Sequence, residues 1–141
     1  MEKVGGRVRE NVRAFILGGN SEFTLTQEPD IQFKYKVKKA KDAKDLYFVC
    51  LEEKKKFVYQ GVIVKNDGKY VFRVGAKGNK DYNSYALQGL LWVLNKNGAI
   101  PEQVGIYHHG VCSVCGRKLS DPYSINCGVG PTCREKIKYF G

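Results

Sequence analysis

Apolar and polar residues alternate with a period of two through much of the first half of the chain, which predicts β-strands. The clearest example is 31–38, where the alternation continues for eight residues. A period of two with β-branched and aromatic residues on one side is typical of a half-buried strand. Further strand-like segments are 23–26, 45–51, 57–64 and 70–74, with a hairpin-turn sequence at 66–69. The pattern predicts an antiparallel meander of about five strands.

Helical spacing occurs on either side of these strands. In residues 7–17, Val8, Val12, Phe15 and Ile16 fall on one stripe opposite charged side chains, and two glycines follow. In residues 81–96 a second stripe is expected to cover the apolar face of the sheet. Its members are Ala86, Leu87, Leu90, Leu91 and Leu94. The fold class predicted is α+β, with an N-terminal domain (helix, sheet, helix) at 1–104 and a smaller module at 105–141.

The composition is that of a folded protein of ordinary domain size. The chain has 141 residues, of which 43% are hydrophobic and 27% charged, and this is too apolar for a disordered chain. The longest apolar run, 46–51, is far shorter than the roughly 20 residues of a membrane helix. The first six residues lack the apolar segment of a secretory signal. We therefore expect a cytoplasmic protein that makes no membrane contact.

Four of the five cysteines, Cys112, Cys115, Cys127 and Cys133, lie close together near the C-terminus. A Cys-x2-Cys pair on a tight turn places two sulfur atoms on the same side, and Gly116 lets the backbone fold back. In the second pair, Cys133 follows Pro131, a residue that suits the first turn of a helix, here expected to run to Tyr139. The spacing predicts a structural Zn²⁺ with four thiolate ligands in a module like a small treble clef.

Other uses of these cysteines are less consistent with the sequence. An odd number of cysteines without a secretory signal favours a reducing compartment, where clustered thiols bind metal more often than they form disulfides. The spacing matches neither common ferredoxin pattern, which disfavours an iron–sulfur cluster. Four thiolates would leave no open position for water, which disfavours a catalytic zinc. The alternative is a set of reduced structural cysteines or a disulfide pair.

The cysteine region resembles a known family. It runs Cys112-Ser-Val-Cys115-Gly-Arg-Lys-Leu-Ser-Asp-Pro-Tyr-Ser-Ile125 and ends with Gly128-Val-Gly-Pro-Thr-Cys133. This resembles an uncharacterised zinc-binding family with the pattern Cys-x2-Cys-Gly-Arg-x-Leu-Thr-x-Pro-x-Ser-Ile, then Gly-Ile-Gly-Pro-x-Cys. The module ends many small bacteriophage and prophage proteins and also occurs in some bacterial helicase-like proteins. Residues 14–17, 23–26 and 33–37 are similar to the stretch that precedes it in the phage proteins.

The resemblance implies a phage-type zinc protein in the host cytoplasm, and it bears on the fourth ligand. The family pattern has three fixed cysteines, which correspond to Cys112, Cys115 and Cys133. A histidine that corresponds to His108 often accompanies them, whereas the position of Cys127 varies. The fourth ligand is therefore Cys127 or His108, and thiolate chemistry favours Cys127. The neighbouring His109 is expected to be a solvated loop residue.

No catalytic constellation is present, and we predict that the protein is not an enzyme. The glycine-rich segment 74–81 lacks the Gly-Lys-Ser/Thr of a phosphate-binding loop and is typical of a turn after a strand. The two histidines have no His-Glu-x-x-His context, and the acidic residues are scattered. Cys50 is expected to be a small residue of the core.

The charge is strongly basic. The chain has 24 lysines and arginines against 14 acidic residues, a formal charge of +10, which a four-thiolate zinc site would lower to about +8. Such a field favours polyanions, although a lysine-rich strand also serves to prevent edge-to-edge aggregation. The residues predicted to contact nucleic acid are Lys34, Lys36 and Lys38 on one strand face, and Arg117, Lys118, Arg134, Lys136 and Lys138 around the zinc module. Phe33, Tyr35 and Tyr59 are expected to point into the core.

Two functional hypotheses follow. The first is a phage-type zinc protein that binds DNA or RNA without catalysis, through the strand lysines and the zinc module. The second is a protein-binding inhibitor of a host antiviral complex, for example one of the CRISPR type, in which the partner is a nucleic-acid-associated protein assembly. The second hypothesis depends on the phage setting and on analogy.

Overall fold

The computed structural model of the chain describes residues 6–8, 11–28, 31–75, 81–96 and 101–136. Within that part, no helix is both long enough and apolar enough to cross a bilayer. The strands are β1 (Asn20–Glu28), β2 (Ile31–Lys39), β3 (Leu46–Glu53), β4 (Lys56–Asn66), β5 (Lys69–Arg73) and β6 (Gly105–His108). The helices are α1 (Val12–Ile16), α2 (Ser84–Lys96), α3 (Pro122–Cys127) and α4 (Pro131–Lys136).

The six strands form one sheet in the order β5-β4-β3-β2-β1-β6, with every neighbouring pair antiparallel. This confirms the α+β class and the antiparallel arrangement. The strand that the sequence did not predict is β6, which pairs with β1 so that Ile106 lies opposite Leu25. A strand of four residues is too short to show a period in the sequence. The sheet therefore includes the first residues of the predicted 105–141 module.

The β4–β5 connection is the predicted hairpin turn. Asp67 and Gly68 both have positive φ angles, 52° and 78°. Two consecutive left-handed residues make the tight turn whose twist matches that of the adjoining strands, and Asp-Gly is a favoured pair for it.

One face of the sheet, the inner face, packs against α1 and α2 and forms the core. Tyr35, Val37 and Val49 on this face are completely buried, and the Tyr35 hydroxyl donates a hydrogen bond of 2.7 Å to the carbonyl of Ala86 in α2. The apolar stripe of α2 is buried as predicted, except for Leu91, which is half-buried. Burial of this apolar stripe stabilises α2, because a helix of this length would be only marginally stable from its intrinsic helix propensity alone.

The predicted N-terminal helix is shorter than the pattern indicated. Residues 7 and 8 are not helical: Arg7 forms a bridge with Tyr107, and the Val8 amide donates to the carbonyl of Ile106 at 2.7 Å. The Asn11 side chain accepts a hydrogen bond from the amide of Ala14 and so caps α1. An apolar stripe with helical spacing was thus divided between an extended segment beside β6 and a helix of five residues.

The opposite face of the sheet, the outer face, carries polar, aromatic and basic side chains. Cys50 and Tyr59, both predicted to be core residues, are half-buried and paired across β3 and β4 on this face. The reason for Cys50 is the alternation along β3, in which Tyr47, Val49 and Leu51 point inwards. For Tyr59 the reason is a bulge beside Cys50, which shifts the register of β4.

Candidate metal centre and basic surfaces

Three of the four clustered cysteines come together in the structure. The Sγ atoms of Cys112, Cys115 and Cys133 all lie within 4.8 Å of one another. Cys112 and Cys115 flank a turn that continues through Gly116, whose φ is +78°. Cys133 lies in the first turn of α4, which begins at Pro131 as the sequence predicted. In a tetrahedral site with metal–sulfur distances near 2.3 Å, the sulfur atoms are about 3.8 Å apart, so this group can hold a metal ion.

Backbone amides already point at the sulfur atoms. The Sγ of Cys112 accepts hydrogen bonds from the amides of Val114, at 3.4 Å, and Gly130, at 3.3 Å. Amide donors stabilise a thiolate more than a thiol because they favour the charged form. Together, the two amides restrain the position of the Cys112 sulfur within the group.

The other two thiols differ in their protonation. A hydrogen bond from the backbone of Arg117 lowers the pKa of Cys115, whereas burial raises the pKa of Cys133. In the metal-free chain the thiol of Cys115 therefore ionises at a lower pH than that of Cys133. Because a metal binds thiolates, binding here must release protons, and metal affinity must increase with pH.

The structure does not bring Cys127 into this group of three. Its side chain is completely buried, and its Sγ lies 3.3 Å from the carbonyl oxygen of Val129 and 3.8 Å from that of Ser124. A guanidinium nitrogen of Arg134 also donates to this sulfur, at 3.5 Å. The thiol of Cys127 thus joins the end of α3 to the start of α4 within the core. Its role as a fourth ligand stays a prediction.

His108, the alternative fourth ligand, has hydrogen-bond partners at both ring nitrogens. Its Nε2 lies 2.7 Å from the carbonyl oxygen of Ile125, to which it donates, and its Nδ1 accepts from the amide of Gly110 at 2.9 Å. The ring is 1% exposed and contacts Phe15. These two hydrogen bonds stabilise the neutral form of the His108 ring that carries its proton on Nε2. They also connect the end of β6 to Ile125 in α3.

This environment predicts a pH dependence of stability. Burial lowers the pKa of His108 below its ordinary value, so near pH 6 the unfolded chain binds more protons than the folded one. As the pH is lowered below about 6.5, the free energy of unfolding should decrease by up to about 1.4 kcal/mol per pH unit. Urea unfolding at several pH values should show this slope, and His108→Gln, which keeps a donor for Ile125, should reduce it. An unchanged slope in that variant would assign the effect elsewhere; metal content must be measured in parallel.

The cysteine region packs directly against the sheet, to which it is joined by hydrogen bonds as well as by the chain. The amide of Asn20 donates to the carbonyl of Ser113 at 2.7 Å, and the Asn20 side chain donates to the carbonyl of Val114 at 3.1 Å. Gly128, with φ +74°, ends α3, and a side chain there would collide with the ring of Phe15. The segments that carry the clustered cysteines are therefore held in place by contacts with the start of β1 and with α1.

The basic residues predicted around the cysteines have different surroundings. Arg117, Lys118 and Lys136 are exposed and line a hollow of about 380 Å³ that also contains the three clustered cysteines. Arg134 is instead half-buried, donates to the Val129 carbonyl at 2.7 Å and lies over the ring of Tyr123. The position of Lys138 lies outside the described residues.

The strand lysines share the outer face, as their alternation predicted. Lys38 is exposed, while Lys34 and Lys36 are half-buried. The Nζ atoms of Lys34 and Lys36 each lie 5.7 Å from the centre of the Phe57 ring, and Lys34 also forms an ion pair of 3.3 Å with Glu52. Within the described ranges, the row is therefore a basic surface in which Lys34 has an acidic partner, Glu52.

Sequence reasoning missed the aromatic side chains beside these lysines. The strand pairing places Phe48 directly opposite Lys38, and the ring of Phe48 lies 6.2 Å from that of Tyr59. The period of two along β3 separates Phe48 and Cys50 from their inward-facing neighbours, but residues 46–51 are all apolar, so the sequence alone does not show which of them face outwards. His109 is also not a solvated loop residue: its Nε2 lies 3.2 Å from the hydroxyl of Thr24, and burial lowers its pKa.

Comparison with known proteins covers the cysteine region alone. No curated protein and no solved structure matches the chain. Residues 104–138, about a quarter of the chain, match the family model of DUF6011, a family of unknown function. The matched segment begins just before β6 and contains all three clustered cysteines. The C-terminal part of this α+β protein is thus similar to DUF6011, a similarity that assigns no activity to it.

Proposed function

We propose that the protein is a small phage-type zinc protein that binds DNA or RNA without catalysing a reaction on it. The observation that carries the proposal is the row of Lys34, Lys36 and Lys38 on the sheet face opposite the helices. Alternate residues of a strand are roughly 6.7 Å apart, so the row presents cations at regular intervals along an extended path. A chain of formal charge +10 adds a general attraction for polyanions.

Zinc is the metal that suits the centre best. Thiolates are soft ligands that select Zn²⁺ over the hard cations Mg²⁺ and Ca²⁺, and a knuckle followed by a helix, as in a treble clef, is typical of structural zinc modules. We propose Cys112, Cys115 and Cys133 as three of its ligands. The metal would hold the knuckle against α4 and so fix the exposed Arg117, Lys118 and Lys136 around one hollow. Its role in this proposal is structural.

The direct test is a binding titration across salt concentrations. Fluorescence anisotropy of the zinc-loaded protein with single- and double-stranded DNA and RNA should show micromolar or tighter binding at low salt. The logarithm of the affinity should fall linearly with that of the salt concentration, with a slope that indicates several phosphate contacts. Absence of binding even at low salt would refute the proposal and leave a host protein partner as the leading hypothesis.

A further inference from the structure

A groove lies on the outer face of the sheet, where β2 runs into its connection to β3. Its volume is about 540 Å³, within the range of roughly 300–1,000 Å³ that is usual for ligand pockets. Both apolar and cationic side chains contribute to its wall. Those on which the inference depends are Leu46, Phe48, Val62, Lys38, Lys39 and Lys41.

Phe48 provides an accessible aromatic surface in this groove. Its side chain is 40% exposed, and the strand pairing places it between Lys38 and Val62. The ring of Phe57, elsewhere on the same face, is instead close to the ammonium groups of Lys34 and Lys36. The ring of Phe48 can therefore receive a flat apolar group beside positive charges.

We propose that this groove binds a base of single-stranded nucleic acid, stacked on Phe48, with the adjoining phosphates against Lys38, Lys39 and Lys41. The inference rests on the proposed function and narrows it to single strands. Every base has an apolar face that can stack on an aromatic ring, but in a duplex those faces are covered by neighbouring bases. The one carboxylate in the groove, Asp42, is outnumbered by the three lysines.

The test compares strands that share their phosphates but differ in their bases. The probes are oligothymidylate and oligouridylate of about 15 nucleotides, a duplex of equal length and an abasic strand. The wild-type protein should bind a base-carrying single strand about 5-fold or more tightly than the abasic strand and the duplex, since stacking contributes only to the first. Thymidylate against uridylate then distinguishes DNA from RNA. Equal affinity for base-carrying and abasic strands would overturn the inference.

A matched pair of variants locates the effect. Phe48→Leu keeps an apolar side chain and should weaken binding of the base-carrying strand about 5-fold or more, while leaving the abasic strand unaffected. Tyr85→Leu removes a more exposed ring from α2 (53% exposed, against 40% for Phe48) and should change neither affinity. Wild-type behaviour of Phe48→Leu towards the base-carrying strand would refute base stacking. If the wild type binds no probe at all, the proposed function itself fails; if it binds all probes equally, only this inference fails.

Discussion

Cys133→Ala is expected to abolish retention of one metal ion per chain, whereas Cys127→Ala should retain it. The two thiols are both buried and six positions apart, but only Cys133 lies in the group with Cys112 and Cys115. Cys127 is directed at the carbonyls of Ser124 and Val129 instead. Its replacement removes a small buried group and should cost about 1–3 kcal/mol of stability without loss of the ion.

Loss of the metal should affect more than the cysteine region. Metal binding contributes directly to folding in small structural sites, where the apparent binding free energy is about 10–16 kcal/mol. Here Asn20, at the start of β1, donates hydrogen bonds to the carbonyls of Ser113 and Val114, between the first two cysteines. The ring of Phe15 in α1 packs against Gly128. We therefore expect chelation or Cys133→Ala to loosen α1 and the β1 end of the sheet as well.

Metal analysis of the purified variants measures the first effect, and amide hydrogen exchange of α1 and β1 measures the second. Replacement by Co²⁺ provides a spectroscopic check, because its thiolate charge-transfer band should weaken in Cys133→Ala and persist in Cys127→Ala. If Cys127→Ala loses the ion and the band to the same extent as Cys133→Ala, Cys127 is the fourth ligand that its sequence position predicts. Retention of the ion by both variants would exclude the group of three as the metal site.

The triple substitution of Lys34, Lys36 and Lys38 by Glu is expected to have the second large effect, a loss of about 100-fold or more in nucleic-acid affinity at low salt. Each substitution changes the charge by two, so the formal charge falls from +10 to +4. Removing three phosphate contacts should also reduce the salt slope for a single strand by about 2. The same anisotropy titration measures both quantities.

A scattered control separates local contacts from total charge. Lys54, Lys55 and Lys69 are exposed in turns or at a strand end, and changing them to Glu produces the same formal charge of +4. If the outer face is the binding surface, the control should lose far less affinity than the strand variant. Equal losses would mean that the attraction is a general effect of net charge. Melting temperatures are needed because Lys34→Glu also disrupts the ion pair with Glu52.

Local pattern predicted most of the elements correctly, and it failed where a neighbour in space decided the outcome. The alternation of 31–38 and the stripe of 81–96 are properties of single segments, and both β2 and α2 formed. Residues 7 and 8 have the spacing of a helix but are extended, because hydrogen bonds to the segment beside β6 are available to them. A short strand such as β6 exists only through its pairing with β1.

The sequence by itself determined the α+β class, the lysine row on one strand face and the cysteine region, because each depends on the spacing of residues within one segment. Only the tertiary structure decided which cysteines meet, since the Sγ of Cys127, the last residue of α3, lies against the carbonyls of Ser124 and Val129 rather than with the other three sulfur atoms. Strand register likewise sets Phe48 beside Lys38, and a bulge places Tyr59 on the same face, opposite Cys50. Such neighbours come from different strands, and no pattern along one strand specifies what lies opposite it.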